Sequence, residues 1–235
     1  GLPQRKLLRT LTNPDATKVY RLPNNYTDAL HLTDSVWMEF AHSDTDVLRS
    51  QVVDDTFDRY YWASPLDVPR YMTKAQIIAG APAVATAYIL GIPKPGAISG
   101  IVAGGVSATL KSVAYVQTFV SAYGEEGQPS DPKTYTSQKI DATYTITFAQ
   151  PDPLDLGTNR NITHMRLYRT ITAANGTTTF FFVTEVTVGT VSFADNAAVT
   201  TDAVLAFNEQ LESTNWQGPP SDLKGWVSLS NGIVA

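Results

Sequence analysis

The segment SVAYVQTFVSAYGEEGQPS, residues 112–130, decides the fold class of this chain. Its first half alternates two sets of side chains, as in a β-strand, where successive side chains point to opposite faces. One predicted face carries Val113, Tyr115 and Phe119, and the other carries Ala114, Val116, Thr118 and Val120. Gly124 and Gly127 then permit a turn, and Pro129 ends the strand pairing. The segment therefore predicts a β-sandwich that is built for contact with other protein and not for catalysis.

Further alternating strands follow this segment, over residues 143–148, 162–170 and 178–188. The dipeptide Asn175-Gly176 lies between the last two and is a strong signal for a β-hairpin, so we expect these strands to pair antiparallel. Short strands with turn residues at each junction are typical of an immunoglobulin or fibronectin III sandwich. The sequence therefore predicts an immunoglobulin-like β-sandwich over residues 109–198.

Residues 1–90 predict an N-terminal β region, either a propeller-like blade or a small meander. Its expected strands are short and rich in β-branched and aromatic residues, over 36–40, 46–53, 57–62 and 70–73. Gly80 and Pro82 interrupt the alanine-rich stretch 74–87, which we expect to be loop with at most one turn of helix. The overall prediction is an all-β fold.

The remaining segments are predicted to be connections. Residues 91–108 contain two prolines and several glycines, a composition that usually marks a linker between domains. Residues 199–235 predict a strap that returns to the N-terminal β body, with a short helix or irregular segment over 202–214 and a strand from Leu223. Both ends of the chain look cut, as if the body continued past Asn231-Gly232.

Composition excludes several classes of function. The net charge of −5 and scattered basic residues argue against a protein that grips nucleic acid through its phosphates. With no cysteine, disulfides and thiolate metal sites are excluded, and no apolar run reaches membrane-spanning length. Charged residues make up only 17% of the chain, which indicates surfaces covered by neighbouring subunits or, alternatively, a surface rich in Thr, Ser and Asn.

Candidate ligands and catalytic groups give weak signals. The three histidines, His31, His42 and His164, have no metal-ligand spacing, and residues 42–46 are more typical of a polar turn than of a cation site. His164 alternates with Arg166 and Tyr168, a polar stripe that we expect to face solvent or a subunit.

The acid pairs Asp54-Asp55 and Glu125-Glu126 fall in turns, where neighbouring side chains point apart, so a glycosidase arrangement is not favoured. No catalytic, metal or cofactor-binding residue is predicted, and the chain is not expected to be an enzyme. A group of aromatic residues could stack on sugars, although core packing on alternating strands explains it better. The members of this group are Trp37, Tyr60, Tyr61 and Trp62.

Several phrases of the sequence together resemble structural proteins of the tail and neck of tailed bacteriophages. They are DTDVLRS (44–50), DDTFDRYYW (54–62), YILGIPKP (88–95), FVSAYGEEGQPS (119–130), MRLYRT (165–170) and PPSDLKG (219–225). The most similar type is the nozzle, or tail tubular protein B, of short-tailed phages. The resemblance implies a propeller-like body with an inserted immunoglobulin-like domain, and it brings no catalytic residues.

The same resemblance implies a place in the virion. Subunits made in the host bacterial cytoplasm would form a homo-oligomeric ring in the phage tail, in contact with adaptor and fibre proteins, through which DNA passes without sequence-specific binding. No cofactor and no membrane insertion are expected. A tail fibre or receptor-binding protein is the alternative, and a polysaccharide depolymerase is a third, less favoured class because no convincing acid pair is present.

Overall fold

The fold is all-β, as predicted from the sequence. The computed structural model describes residues 14–23, 35–51, 55–80, 87–157, 159–172 and 178–227. The chain forms two compact units, which we call the first unit (Gly1–Leu90 with Pro219–Ala235) and the second unit (Gly91–Gly218). The second unit is therefore an insertion between two parts of the first.

The first unit contains two antiparallel sheets. Strands β1 (Lys18–Pro23) and β2 (Ser35–Phe40) form a pair. The other sheet has its strands side by side in chain order, as β3 (Asp46–Arg49), β4 (Arg59–Ser64), β5 (Asp67–Thr73) and β6 (Tyr88–Ile89). This sequential order is a β-meander. Apolar side chains of both sheets share one core, which includes Leu22, Met38, Tyr60, Trp62 and Met72.

Helix α1 (Lys74–Gly80) corrects the prediction of at most one helical turn in this stretch. Thr73 and Gln76 form a capping box, in which the Thr73 N–H donates to Gln76 Oε1 (2.9 Å) and the Gln76 N–H donates to Thr73 Oγ1 (3.2 Å). Ile77 is buried in the core of the first unit. The described helix includes Gly80, the glycine that we expected to interrupt it, and Pro82 lies outside the described residues.

The second unit is a sandwich of two antiparallel sheets. Its strands are β7 (Ser99–Ala103), β8 (Leu110–Ser121), β9 (Lys133–Lys139), β10 (Thr143–Thr147), β11 (Ile162–Thr172), β12 (Thr178–Thr187) and β13 (Ser192–Asn196). One sheet has the order β13-β10-β7 and the other β12-β11-β8-β9. Strands β11 and β12 pair antiparallel, as expected, and the Asn175-Gly176 turn lies outside the described residues.

Both sheets of the second unit contribute to one core. Its buried residues include Val113, Tyr115, Phe119, Tyr144, Ile146, Met165 and Leu167. The predicted inner face of the segment that decides the fold, Val113, Tyr115 and Phe119, lies in this core. Its opposite face is covered as well, because Val116, Thr118 and Val120 are also buried. Strand β8 is thus enclosed on both faces.

The stretch 91–108 is not only a linker, because it contains β7. This strand pairs antiparallel with β10, opposite Thr143–Thr147. Gly100 is needed there, since a Cβ at this position would lie 2.3 Å from the Thr145 carbonyl oxygen. Here glycine marks a close approach of two strands and not a flexible connection.

The strand order of the sandwich differs from an immunoglobulin arrangement. In a constant-type immunoglobulin domain, the first, second, fifth and fourth strands form one sheet and the other three form the second. Here the first, fourth and seventh strands of the second unit, β7, β10 and β13, form one sheet. The immunoglobulin-like assignment of this sandwich stays a prediction.

The predicted C-terminal strap, 199–235, is divided between the units. Residues up to Gly218 belong to the second unit and contain helix α2 (Asp202–Leu205) and a short 3-10 helix (Ser213–Asn215). From Pro219 onward the chain belongs to the first unit. Residues 223–227 are not a strand, which corrects that expectation, and Asn231-Gly232 lies outside the described residues.

Candidate functional site

A charged cleft lies in the second unit, with a volume of about 350 Å³. We call it the acidic cleft and define it by its lining residues Glu126, Arg166, Glu209, Glu212, Ser213 and Trp216. Glu126 is its structural centre. Thr118 Oγ1 (2.5 Å) and the Tyr168 hydroxyl (2.7 Å) both donate to Glu126 Oε1, and Arg166 Nη1 donates to Oε2 (3.0 Å). Three donors thus hold this carboxylate in place.

A tight chain reversal after β8 positions Glu126. Gly124 takes a left-handed conformation (φ 77°), which glycine adopts without steric cost. The chain then folds back along β8, where Glu126 forms a β-bridge with Val120 and the Gly127 N–H donates to the Phe119 carbonyl (3.0 Å). The reversal therefore lays the Glu126 side chain over the outer face of the sheet.

The segment after α2 supplies the opposite wall. It runs beside the edge of β12, where the Phe182 N–H donates to the Glu209 carbonyl (2.8 Å) and the Leu211 N–H donates to the Phe180 carbonyl (3.0 Å). These backbone bonds fix the chain at Glu209. They also bring Ser213 and Trp216 to the cleft.

Arg166 is the cation of the cleft and is already engaged. Its Nε donates to Glu185 Oε2 (2.7 Å), and its Nη1 lies 4.0 Å from Glu209 Oε2. Burial alone would lower the pKa of Arg166, but the bond to Glu185 and the neighbouring acidic groups raise it above the ordinary value. Burial and the bond to Glu126 likewise raise the pKa of Tyr168. Arg166 therefore stays charged and Tyr168 stays a hydrogen-bond donor.

Two side chains of the cleft could interact with a bound molecule. The Trp216 side chain is 51% exposed, although tryptophan is usually well covered. Ser213 is 1% exposed, and its hydroxyl oxygen has no hydrogen-bond partner among the described residues. A buried hydroxyl without a partner costs stability, so Ser213 is a group that a bound molecule could satisfy.

A second polar cluster lies inside the sandwich and is fully enclosed. Arg169 on β11 and Asp195 on β13 are both buried. The Tyr115 hydroxyl donates a hydrogen bond to Asp195 Oδ2 (2.7 Å). Arg169 Nη2 donates to the Thr200 carbonyl. Burial and the negative charge of Asp195 raise the pKa of Tyr115. Because these groups bond to one another away from solvent, we assign them a structural role.

Two of the histidines singled out from the sequence lie in polar surroundings, within a turn and a strand. His42 forms a turn, in which its carbonyl accepts from Thr45 Oγ1 (2.8 Å), in agreement with the polar-turn interpretation. His164 contacts Thr163 Oγ1 through Nδ1 (2.8 Å), and His31 lies outside the described residues. No group of three potential metal-ligating side chains occurs in the part of the chain that the structure describes.

The structure separates Glu125 from Glu126, the acid pair that it describes in full. Asp55 bonds to Arg59 (3.0 Å), and Asp54 lies outside the described residues. Glu126 bonds to Arg166, whereas Glu125 accepts from the Ser121 hydroxyl (3.3 Å). The polar stripe that contains Arg166 and Tyr168 is not fully exposed to solvent, because the Glu126 side chain lies over it and Tyr168 is buried.

The sequence did not indicate that the acid pair and the polar stripe would meet. Half of the aromatic group lies in the core, because Tyr60 and Trp62 are buried in the first unit, whereas Trp37 and Tyr61 are half-buried. Trp216, which the sequence analysis did not single out, is the exposed aromatic residue of the cleft.

Comparisons with known proteins add no family. Neither the protein-family models nor the curated proteins match this chain. In the described part of the chain, no helix has the length and apolar character needed to cross a membrane.

Proposed function

We propose that this chain is a structural protein of a bacteriophage tail, and that it is a nozzle or tail-tube subunit that forms a ring around the DNA channel. The observation that carries this proposal is the insertion of one β unit into another. The second unit, Gly91–Gly218, interrupts the first, which resumes at Pro219. A β body with an inserted sandwich is the organisation that the sequence resemblance implies.

The polar groups of the second unit support a structural role. The most enclosed charged groups, Arg169 and Asp195, bond to each other between the sheets. Glu126 is held by three donors and so has little freedom to act as a base. Both clusters therefore support a structural role.

The charge of the chain is compatible with a DNA conduit. A net charge of −5 repels phosphates, so a duplex would pass without being held. A low content of charged residues suits subunits that bury faces against neighbours in a closed ring. Large apolar side chains exposed in the isolated chain include Val106 (93%) and Phe207 (92%). Neighbouring subunits could cover such side chains.

The test of this proposal is the oligomeric state of the purified chain. We expect native mass spectrometry at rising concentration to show a single high-order oligomer, and negative-stain electron microscopy to show rings with an open centre. A chain that stays monomeric at the highest concentration contradicts the proposal. Binding of the monomer to a glycan array would then favour the alternative of a receptor-binding protein.

A further inference from the structure

We propose that the acidic cleft binds an arginine side chain of a partner protein, held by Glu209, Glu212, Ser213 and the ring of Trp216. This inference concerns recognition of a partner and does not depend on the proposed tail function. It rests on the charge of the cleft, on one unsatisfied buried hydroxyl and on one exposed aromatic ring.

The cleft has more negative charge than its own cation balances. Four glutamates line it, Glu125, Glu126, Glu209 and Glu212, together with one arginine, Arg166. The guanidinium of Arg166 is engaged by Glu126 (3.0 Å) and Glu185 (2.7 Å), and it reaches Glu209 only at 4.0 Å. Glu212 is exposed and has no ion-pair partner among the described residues. Glu209 and Glu212 can therefore attract a second cation.

Ser213 gives an independent indication of a ligand. It lines the cleft, only 1% of its surface is exposed, and no residue in the described part of the chain forms a hydrogen bond with its Oγ. Buried polar groups in folded proteins almost always have a partner, so an unpaired hydroxyl that lines a cleft is a place where a bound molecule can supply one. A hydroxyl oxygen accepts an N–H donor readily, and a guanidinium offers five such donors.

Trp216 favours a guanidinium over other cations. Its ring is 51% exposed at the cleft, where the carboxylates can attract a cation to its face. Tryptophan is the strongest aromatic partner for a cation, and the planar guanidinium of arginine stacks on such a ring. The same plane bonds to carboxylates in a forked geometry that an ammonium lacks. The cleft therefore fits arginine better than lysine.

The test uses a peptide titration monitored by NMR. The probe is acetyl-Gly-Gly-Arg-Gly-Gly-amide, compared with the same peptide carrying citrulline, which has a similar shape but no charge, or lysine. Trp216 is the only tryptophan of the second unit, and Trp216→Phe assigns its indole N–H signal. We expect the arginine peptide to shift the Trp216 indole and the Ser213 amide, the lysine peptide to shift them less, and the citrulline peptide to leave them unchanged.

Matched variants separate a specific site from general charge attraction. Glu212→Gln removes one charge from the cleft, and Asp131→Asn removes one exposed charge elsewhere in the second unit. We expect Glu212→Gln to weaken binding about fivefold, near the upper limit for one exposed ion pair, and Asp131→Asn to leave it unchanged. The proposal is overturned if the citrulline peptide shifts the same signals equally, or if the two variants weaken binding by the same factor. A monomer that binds the peptide would contradict the ring proposal and leave this one intact.

Discussion

Arg169 and Asp195 form a fully buried ion pair that joins the two sheets of the second unit, with Arg169 Nη1 2.5 Å from Asp195 Oδ2. Both side chains have no exposed surface. Removing two charges from water is costly, and their mutual attraction repays that cost only with good geometry and additional hydrogen bonds. The pair therefore contributes more to the choice of one arrangement of the sheets than to net stability.

Removing one partner of this pair should be strongly destabilising. Arg169→Met leaves the Asp195 carboxylate buried without its cation, and we expect the free energy of unfolding to fall by about 3–5 kcal/mol, as measured by urea denaturation. The double variant Arg169→Met, Asp195→Leu should recover much of this loss. The exposed pair Lys94–Asp131 is the control, and Lys94→Met should cost less than about 1 kcal/mol. Equal losses for Arg169→Met and Lys94→Met would contradict the assignment.

Two buried tyrosines of the sandwich core should respond in opposite ways to loss of the hydroxyl. The Tyr115 hydroxyl donates to Asp195, so Tyr115→Phe should reduce stability by about 1–3 kcal/mol. The Tyr144 hydroxyl is buried and has no hydrogen-bond partner within the residues that the structure describes, so Tyr144→Phe should be neutral or stabilising. The centroids of the two rings are 5.5 Å apart, and both residues are fully buried. The two variants are therefore a matched pair for thermal unfolding experiments.

Gly100 should not tolerate a side chain. In Gly100→Ala the new Cβ would meet the Thr145 carbonyl and separate β7 from β10, at a cost of about 1–3 kcal/mol. Gly157→Ala is the control, since no atom lies within 4 Å of a Cβ built there. Urea denaturation of both variants checks this, and a stable Gly100→Ala would show that the two strands can move apart freely.

Asp141 should make stability depend on pH in the acid range. Its carboxylate accepts backbone N–H bonds from Val106 (2.8 Å) and Ser107 (3.1 Å), which lower the pKa of Asp141 below its ordinary value of 3.8. Because the folded pKa is lowered, this stabilisation is present above pH 3.8 and is lost as the pH falls through the folded value.

We therefore expect Asp141→Asn to be less stable than the original chain at pH 6, with a difference that shrinks below pH 3.8. Urea midpoints measured from pH 6 to pH 3 check this dependence. Asp131→Asn provides the control for a simple change of net charge. If the difference in urea midpoint between Asp141→Asn and the original chain stays constant over this pH range, Asp141 does not act through its charge.

Much of the fold follows from side-chain periodicity. Strands with clear alternation, such as β8, β10 and β11, were predicted near their true bounds. Strand β9 escaped prediction because its lysines, threonines and glutamine lie mostly on an exposed surface, so only Tyr135 signals a core. Strand β7 was not predicted because its glycine is typical of a break in a strand. In the structure this position needs glycine, since a Cβ there would collide with a neighbouring carbonyl oxygen.

The acidic cleft could not be predicted because it depends on contacts between distant parts of the chain. Glu126 and Arg166 are 40 residues apart, and Glu209 comes from a segment after α2. Their proximity follows from the reversal at Gly124 and from the backbone bonds beside β12.

The start of helix α1 could have been predicted from the sequence. The Thr73 to Gln76 capping box is a signal that a search for helix starts would have found.

The two-sided enclosure of β8 has a consequence for how its alignment is chosen. When one face of a strand is exposed to solvent, a shift of its pairing register by one residue moves its apolar side chains to the exposed face, which is energetically unfavourable. From Tyr115 to Ser121 every residue of β8 is buried, so that penalty is small here. The amide of Gln117, bonded to the Ala149 backbone at 2.7 and 2.9 Å, opposes such a slip, because it has a partner in one alignment only. The hydroxyls of Thr118 and Tyr115, bonded to Glu126 and Asp195, act in the same way, so polar side chains of β8 fix the alignment that solvent fixes in a strand with one exposed face.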